Sequence, residues 1–258
     1  MRTSRLLPTA LLAALIVPGT ATSPQATQPQ PAPAQSAPSM TPEEIIAALR
    51  LPENSTGNIA DGVDEVTGGR GWMSADMKPV GEGKLVGRAW TATLRPVLKN
   101  DTRTYPNYLL QVLDEAPAGS VLVYKMVDGL EIAAIGNLIA TTASVRGLEG
   151  TVIDGAVRDV AEINRIGHKV FARRVSPATS VGRMVSVAMQ TPVVIGEVLV
   201  HPGDYIVGDA DGVVVVPQDA AAQVVQALAR YNDQESKMLP IIKREKSMRK
   251  AIEIYNRY

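Results

Sequence analysis

The sequence predicts one α/β domain, and three of its features carry that expectation. Between residues 120 and 174, short β-rich runs alternate with helical stretches, which is the order of a layered α/β unit. Residues 193–216 are Val-rich runs parted by Pro-Gly and Asp-Gly turns, the pattern of hairpins. From Asp219 to the C-terminus the pattern is helical, with Pro240 as an expected break.

The elements follow in order. Residues 41–50 (TPEEIIAALR) open with Thr41 and then Glu43 and Glu44, a capping pattern that starts a helix. Residues 56–64 suit a second short helix, and residues 68–71 (GGRG) a loop. Residues 84–94 (KLVGRAWTATL) have strand character. A helix is expected over 108–115, a turn at Pro117-Ala118-Gly119 and a strand over 120–127. Asn137 is the expected N-cap of a helix over 138–146 that Gly147 stops. A buried strand over 151–153, a helix over 159–166 ended by Gly167 and a strand over 169–174 complete the central unit. The C-terminal segment is amphipathic and fits packing on its own domain or on a neighbouring subunit.

The N-terminal region reads differently. Residues 1–5 are basic, residues 6–18 apolar, and Gly19-Thr20-Ala21 supplies small residues for cleavage. This is the pattern of a secretory signal peptide over 1–21. The apolar run holds Pro8 and falls short of the ~20 residues needed to span a bilayer. Residues 22–40 are Pro, Gln, Ala and Ser with little else and read as an extended tether. The expected folded domain is then 41–258, with a helical C-terminal extension, in an exported, periplasmic or secreted protein.

Composition excludes several functions. The 258-residue chain has no cysteine, so it has neither disulfides nor thiolate metal sites. Lys plus Arg equals Asp plus Glu at 26 each, and no basic stripe supports nucleic-acid binding. Gly81-Glu82-Gly83-Lys84 lacks the spacing of a phosphate loop. Asp209-Ala210-Asp211-Gly212 lacks the later ligands of a calcium loop and reads as a hairpin turn. His168 and His201 have no partner at zinc spacing, and no Gly-x-Ser-x-Gly elbow is present. Any metal would be a hard, oxygen-bound ion.

Two short motifs remain. Arg158-Asp159 follows an apolar run and a glycine. With Glu162 three residues on, Asp159 fits a capping box. That reading leaves Arg158 unexplained, because a helix start disfavours a cation. Gly136-Asn137-Leu138 is a strand-to-helix turn whose free amides can bind an anion. On periodicity alone the cap reading is favoured.

Four blocks carry a resemblance: DEAPAGSVLV, GNLIATTASVRGLEGTVIDGAVRD, KVFARRVSP and PVVIGEVLVHPGDYIVGDADGVVVVP. In that order they resemble the family that joins the regulator of ribonuclease activity A to the 4-hydroxy-4-methyl-2-oxoglutarate aldolases. GNIADGVD and MSADMKPV look like the opening helix and loop of that family. The resemblance implies a swivelling β/β/α fold, assembled as a trimer or a dimer of trimers with its active site between subunits. It also implies that Arg158 holds a pyruvate-like carboxylate, that Asp159 ligates Mg²⁺ or Mn²⁺, and that Gly136 and Leu138 offer backbone amides to a small 2-oxo acid. A neighbour's C-terminal acid, for which Glu235 is the candidate, completes the site. Asn137 stands where the aldolases usually carry Asp and takes that residue's catalytic and substrate-binding place. The aldolase Lys that follows the Ser-Pro is absent from residues 178–183, which include Gly182 and Arg183. The implied activity is metal-dependent cleavage of a 2-oxo acid to pyruvate, with oxaloacetate decarboxylation at the same site. The alternative the family offers is a non-catalytic binding protein.

Overall fold

The computed structural model describes residues 40–255. The expected signal peptide and the tether up to residue 39 lie outside the described residues.

The chain opens with α1 (Pro42–Arg50) and α2 (Thr56–Thr67). The expected box at Thr41 forms: its hydroxyl accepts the Glu44 amide, while Glu44 Oε2 accepts the Thr41 amide at 2.8 Å. Helix α2 runs three residues past the expected end, to a left-handed Gly68. There follow β1 (Lys78–Pro79), β2 (Leu85–Pro96), α3 (Tyr108–Glu115) and β3 (Ser120–Met126). The central unit is β4 (Ala133–Ile135), α4 (Asn137–Val145), β5 (Gly150–Val157), α5 (Val160–Ile166) and β6 (Lys169–Val175). Then come β7 (Met184–Met189), β8 (Val193–Ile195), β9 (Val198–Val200), β10 (Tyr205–Asp209) and β11 (Gly212–Val216). Helices α6 (Ala221–Glu245) and α7 (Met248–Tyr255) end the described chain.

The main sheet runs β1-β6-β5-β3-β2-β10-β11, with β4 added on β5 and β7 on β2. Its centre, β2, β3, β5 and β6, is parallel, and β10 and β11 join antiparallel. Strand β11 reaches back to the segment before β1, where Met73 N donates to Val213 O and Val215 N to Gly71 O, both at 2.9 Å. The sheet is therefore nearly closed. Its inner face packs Leu85, Val121, Val123, Val152, Phe171 and Ile206, and the β8–β9 hairpin adds Ile195 and Val200 to that core. Outside, α3, α4 and α5 cover one flank through Leu113, Ala140, Ala143 and Ile163. Helices α1, α2 and α6 cover another through Leu49, Ile59, Val224 and Leu228.

Three expectations need correction. Asn137 is the first residue of α4 and not its cap; Gly136 takes the cap position with no side-chain bond. Pro240 does not break the last helix: α6 continues through it to Lys246, which adopts φ +50°. Met238 is buried just before the proline and α7 packs back on α6, so tertiary contact outweighs the one lost main-chain bond. The run 193–200 splits at Gly196-Glu197, both with positive φ, into a hairpin. Strands β1, β4 and β7 have no counterpart in the sequence reading. Strand β5 is longer than expected because Asp154-Gly155 interrupts its apolar run, yet all eight residues are buried. Among the described residues no helix is long and apolar enough to cross a membrane.

Candidate active site

The site forms where β4 and β5 end side by side. The ladder continues past β5, since Arg158 N donates to Ile135 O at 3.1 Å and Ser176 N to Val157 O at 3.0 Å. The chain then turns sharply at Asp159, whose φ of 57° and ψ of 38° lie in the left-handed region. A non-glycine residue there is uncommon and clusters at functional positions.

The capping-box reading of Asp159 does not hold. Its side chain makes no cap bond to α5, and Glu162 pairs with Arg165 instead. The Asp159 carboxylate turns toward α4, where Oδ2 accepts the Asn137 amide at 3.0 Å. Arg158 Nε lies 3.7 Å from the same oxygen. The side chains of Arg158 and Asp159 are 40% and 35% exposed. Among the described residues no hydrogen bond occupies the terminal nitrogens of Arg158 or Oδ1 of Asp159, so one forked donor and one carboxylate oxygen face outward.

Gly136 makes this approach possible. A Cβ there would sit 3.0 Å from Arg158 Nε and 3.1 Å from its Cγ, and nearer still to Asp159 Oδ2. Its backbone is extended, so the requirement is one of space and not of conformation. Beyond it, the amides of Leu138 and Ile139 belong to the first turn of α4 and lack helical partners. The Leu138 side chain is 76% exposed, which leaves only its backbone for the anion-binding role.

Of the expected site residues, the fold brings together Gly136, Asn137, Leu138, Arg158 and Asp159. Glu235 lies apart in this protomer. It sits on α6 facing α2, with Oε2 3.5 Å from Asn58 Nδ2, on a cavity of about 490 Å³ walled partly by Asp61 and Met238. Arg183, in the loop where the lysine is missing, donates Nη1 to Thr179 O of that same loop at 3.2 Å. Among the described residues no three His, Cys, Asp or Glu side chains group as a metal cluster. A hard cation here would depend on Asp159, with water and substrate oxygens filling the remaining positions, a donor set that Mg²⁺ accepts.

The sequence reading missed an ion network across β3, β5 and β6. Buried Asp154 pairs with Lys125 through one oxygen and with Arg173 Nη1 at 2.9 Å through the other. Arg173 also reaches Asp76 at 2.8 Å, and Asp76 accepts from Ser74 at 2.7 Å. Burial pushes the Asp76 carboxyl up, but the bonds from Ser74 and Arg173 and the charges of Arg173 and Arg174 outweigh it and hold the group low. Asp154 and Gly155 form the bulge that shifts the β5–β6 register, between the pairs Ile153–Ala172 and Ala156–Arg174. The signal was present as one charge within each of the apolar strands SVLVYKM and GTVIDGAV and an arginine pair in KVFARRV.

Comparison with known proteins places these residues in a family context. A family model described as RraA-like, Aldolase/RraA matches residues 56–215. "Protein DlpA" of Legionella pneumophila is 29% identical over 204 residues, 78% of this chain but only 32% of that protein, so the chain spans about a third of its length. A Halalkalibacterium halodurans protein named "Putative 4-hydroxy-4-methyl-2-oxoglutarate aldolase" is 31% identical over 159 residues, covering 57% of this chain and 75% of that one. Among solved structures, an uncharacterized Pseudomonas syringae protein superposes with a TM-score of 0.70 at 27% identity, over 81% of this chain and 96% of its own. Streptomyces coelicolor RraAS2, described as an unusual member of the RNase ES inhibitor RraA family, gives 0.67 at 27% identity, over 77% and 98%.

Proposed function

The chain belongs to the RraA-like family, and from that premise we propose that it is a divalent-metal-dependent lyase that cleaves a 4-hydroxy-2-oxo acid to pyruvate and an aldehyde or ketone. The observation that carries the reading is the outward-facing pair of Arg158 guanidinium and Asp159 Oδ1 across Gly136. The free fork of Arg158 suits bidentate capture of the substrate carboxylate. The first-turn amides of α4 add fixed partial positive charge beside it.

In the proposed reaction the C3–C4 bond breaks and its electron pair moves to C3, giving the enolate of pyruvate. The C4 hydroxyl loses its proton and becomes the carbonyl of the leaving product, and a proton added at C3 completes pyruvate. Arg158 and the α4 amides stabilise negative charge that grows on the 2-oxo acid end as the bond breaks. Mg²⁺ or Mn²⁺ held by Asp159 would supply Lewis acidity at the substrate's carboxylate and keto oxygens. Asn137 adds no charge, so the site carries one carboxylate and binds the cation more weakly than a two-carboxylate site would. Loss of carbon dioxide from oxaloacetate passes through the same enolate and is a second reaction of this site. The proposal extends to export through residues 1–21 and to a trimer or a dimer of trimers in which Glu235 of a neighbouring copy acts as the proton-handling group.

A non-catalytic role in binding a small carboxylate is the second reading, and Asn137 in place of an acid favours it. Pyruvate release separates the two. The purified chain is given 4-hydroxy-4-methyl-2-oxoglutarate or oxaloacetate with Mg²⁺ or Mn²⁺, and then with a chelator. Metal-dependent release that disappears in Arg158→Ala, with the fold intact, is the expected result. Full activity in Arg158→Ala would sink the assignment, and no release from a folded protein would favour the binding role.

A further inference from the structure

Strand β5 carries an extra residue just before the candidate site. Ile153 stands opposite Ala172 and Ala156 opposite Arg174, so Asp154 and Gly155 together face the single residue Arg173. Beyond the bulge Val157 stands opposite Val175, and the main-chain ladder runs on through Arg158 N to Ile135 O. An added residue reverses the alternation of side chains after it. In a strand without the bulge Ala156 would stand opposite Val175, and every later residue would lie one position further along. Strand β4 would keep its place, because Ala133 N donates to Ala178 O beyond β6 at 2.8 Å. Val157 would then take the position beside Gly136 that Arg158 now holds.

Charge holds the bulge. Asp154 is buried, and its two oxygens reach the strands on either side. One meets Lys125, its register partner on β3. The other accepts from Arg173 Nη1 at 2.9 Å, on the one β6 residue that faces the bulge. Gly155 leaves no room for a side chain, since a Cβ there would lie 2.6 Å from Met126 Cγ and 2.8 Å from Met126 Cβ. A slip of one position would move the buried carboxylate away from both cations, which is strongly unfavourable.

We infer that Asp154 is a positioning residue for the candidate site: its ion pairs with Lys125 and Arg173 lock the β5 bulge, and the bulge sets Arg158, in place of Val157, against Gly136. The inference rests on the reading of Arg158 as the anchor of a 2-oxo acid carboxylate. Asp154 acts through the strand and touches no substrate.

The test is a binding measurement and a structure, and neither requires turnover. Pyruvate with Mg²⁺ is titrated calorimetrically into the folded full chain. Asp154→Asn and Arg173→Met should each weaken binding by about tenfold, within the range for coupled neighbours. Arg173→Lys keeps the pair and should stay close to wild type. Arg173→Met carries the test if Asp154→Asn does not fold. A crystal structure of Asp154→Asn, or of Arg173→Met in its place, reads the register without any ligand and should show Arg158 Nε displaced from Gly136. Wild-type affinity in either folded variant, or an unmoved Arg158, would overturn the inference while leaving the anchor in place. Equal losses in Arg173→Lys and Arg173→Met would overturn it too, since charge would then not hold the bulge. Wild-type affinity in Arg158→Ala would instead remove the anchor, and this inference with it.

Discussion

The Asp159 carboxylate and the main-chain amide of Asn137 are joined by a 3.0 Å hydrogen bond across 22 residues of sequence. This bond fastens the start of α4 to the turn that starts α5. It fixes one carboxylate oxygen, leaves the other outward and sets the separation between Arg158 and the α4 amides. Together with the β4–β5 pairing, this tie sets the geometry of the candidate site.

On the proposed lyase reading, Gly136→Ala should slow the reaction strongly without unfolding the protein. The extended backbone tolerates alanine, but the added methyl would overlap Asp159 Oδ2 and crowd Arg158. A displacement near 1 Å costs on the order of 10²-fold in rate. Pyruvate release should fall by about that factor while the thermal midpoint moves little. Unchanged release would show that the contact does not set the site.

Asp159→Gly and Asp159→Ala should differ in stability but agree in activity. Both remove the carboxylate, so both should lose metal-dependent turnover. Glycine accepts the left-handed turn freely, whereas alanine at φ near 57° costs about 1–2 kcal/mol. Denaturant titration should therefore place Asp159→Ala below Asp159→Gly by about that amount. Equal stabilities would mean the turn relaxes in the variants.

Asp154→Asn should destabilise the fold by about 3 kcal/mol, because it leaves Lys125 and Arg173 facing a neutral group in a buried place. Chemical denaturation reads this directly. A loss below ~1 kcal/mol would place the network among the weak surface pairs.

His168 should make the protein acid-sensitive. It is 5% exposed and its ring shares a 2.9 Å hydrogen bond with Thr151. Burial, aided by the charge of Lys169 and opposed by Glu149, pushes the imidazole down to about 4 from 6.5. The unfolded chain then binds the proton more readily than the native one. The stabilising effect is full above pH 6.5 and is lost as the pH falls from 6.5 through 4, a change of about 3 kcal/mol. Midpoints measured across that window should drop in the wild type and flatten in His168→Gln. An equally steep decline in the variant would assign the acid sensitivity to other groups.

Much of this molecule was legible from local signals. The box at Thr41, the helix over 108–115, the glycine stops at Gly147 and Gly167 and the hairpin turn at Asp209–Gly212 all formed where the sequence placed them. Each depends on forces within a few residues: a capping hydrogen bond, an apolar period or a positive φ. The two site motifs were legible as well, but the hydrogen-bond partner of Asp159 was not. Its local alternative, a cap, is encoded in four residues, while its actual partner lies on another helix.

What the sequence determined by itself was the type of most elements, the family pattern and the residues available for chemistry. The tertiary structure decided which of those residues meet. The β4–β5 pairing sets Gly136 against Arg158 and Asp159. The adjacent strands β3, β5 and β6 assemble Lys125, Asp154 and Arg173 into one network, and the packing of Met238 and α7 carries α6 past Pro240. The physical reason is common to all three. Pairing of parallel strands and helix packing join residues tens of positions apart, and their energies come from burial and charge at contacts that no short window of sequence contains.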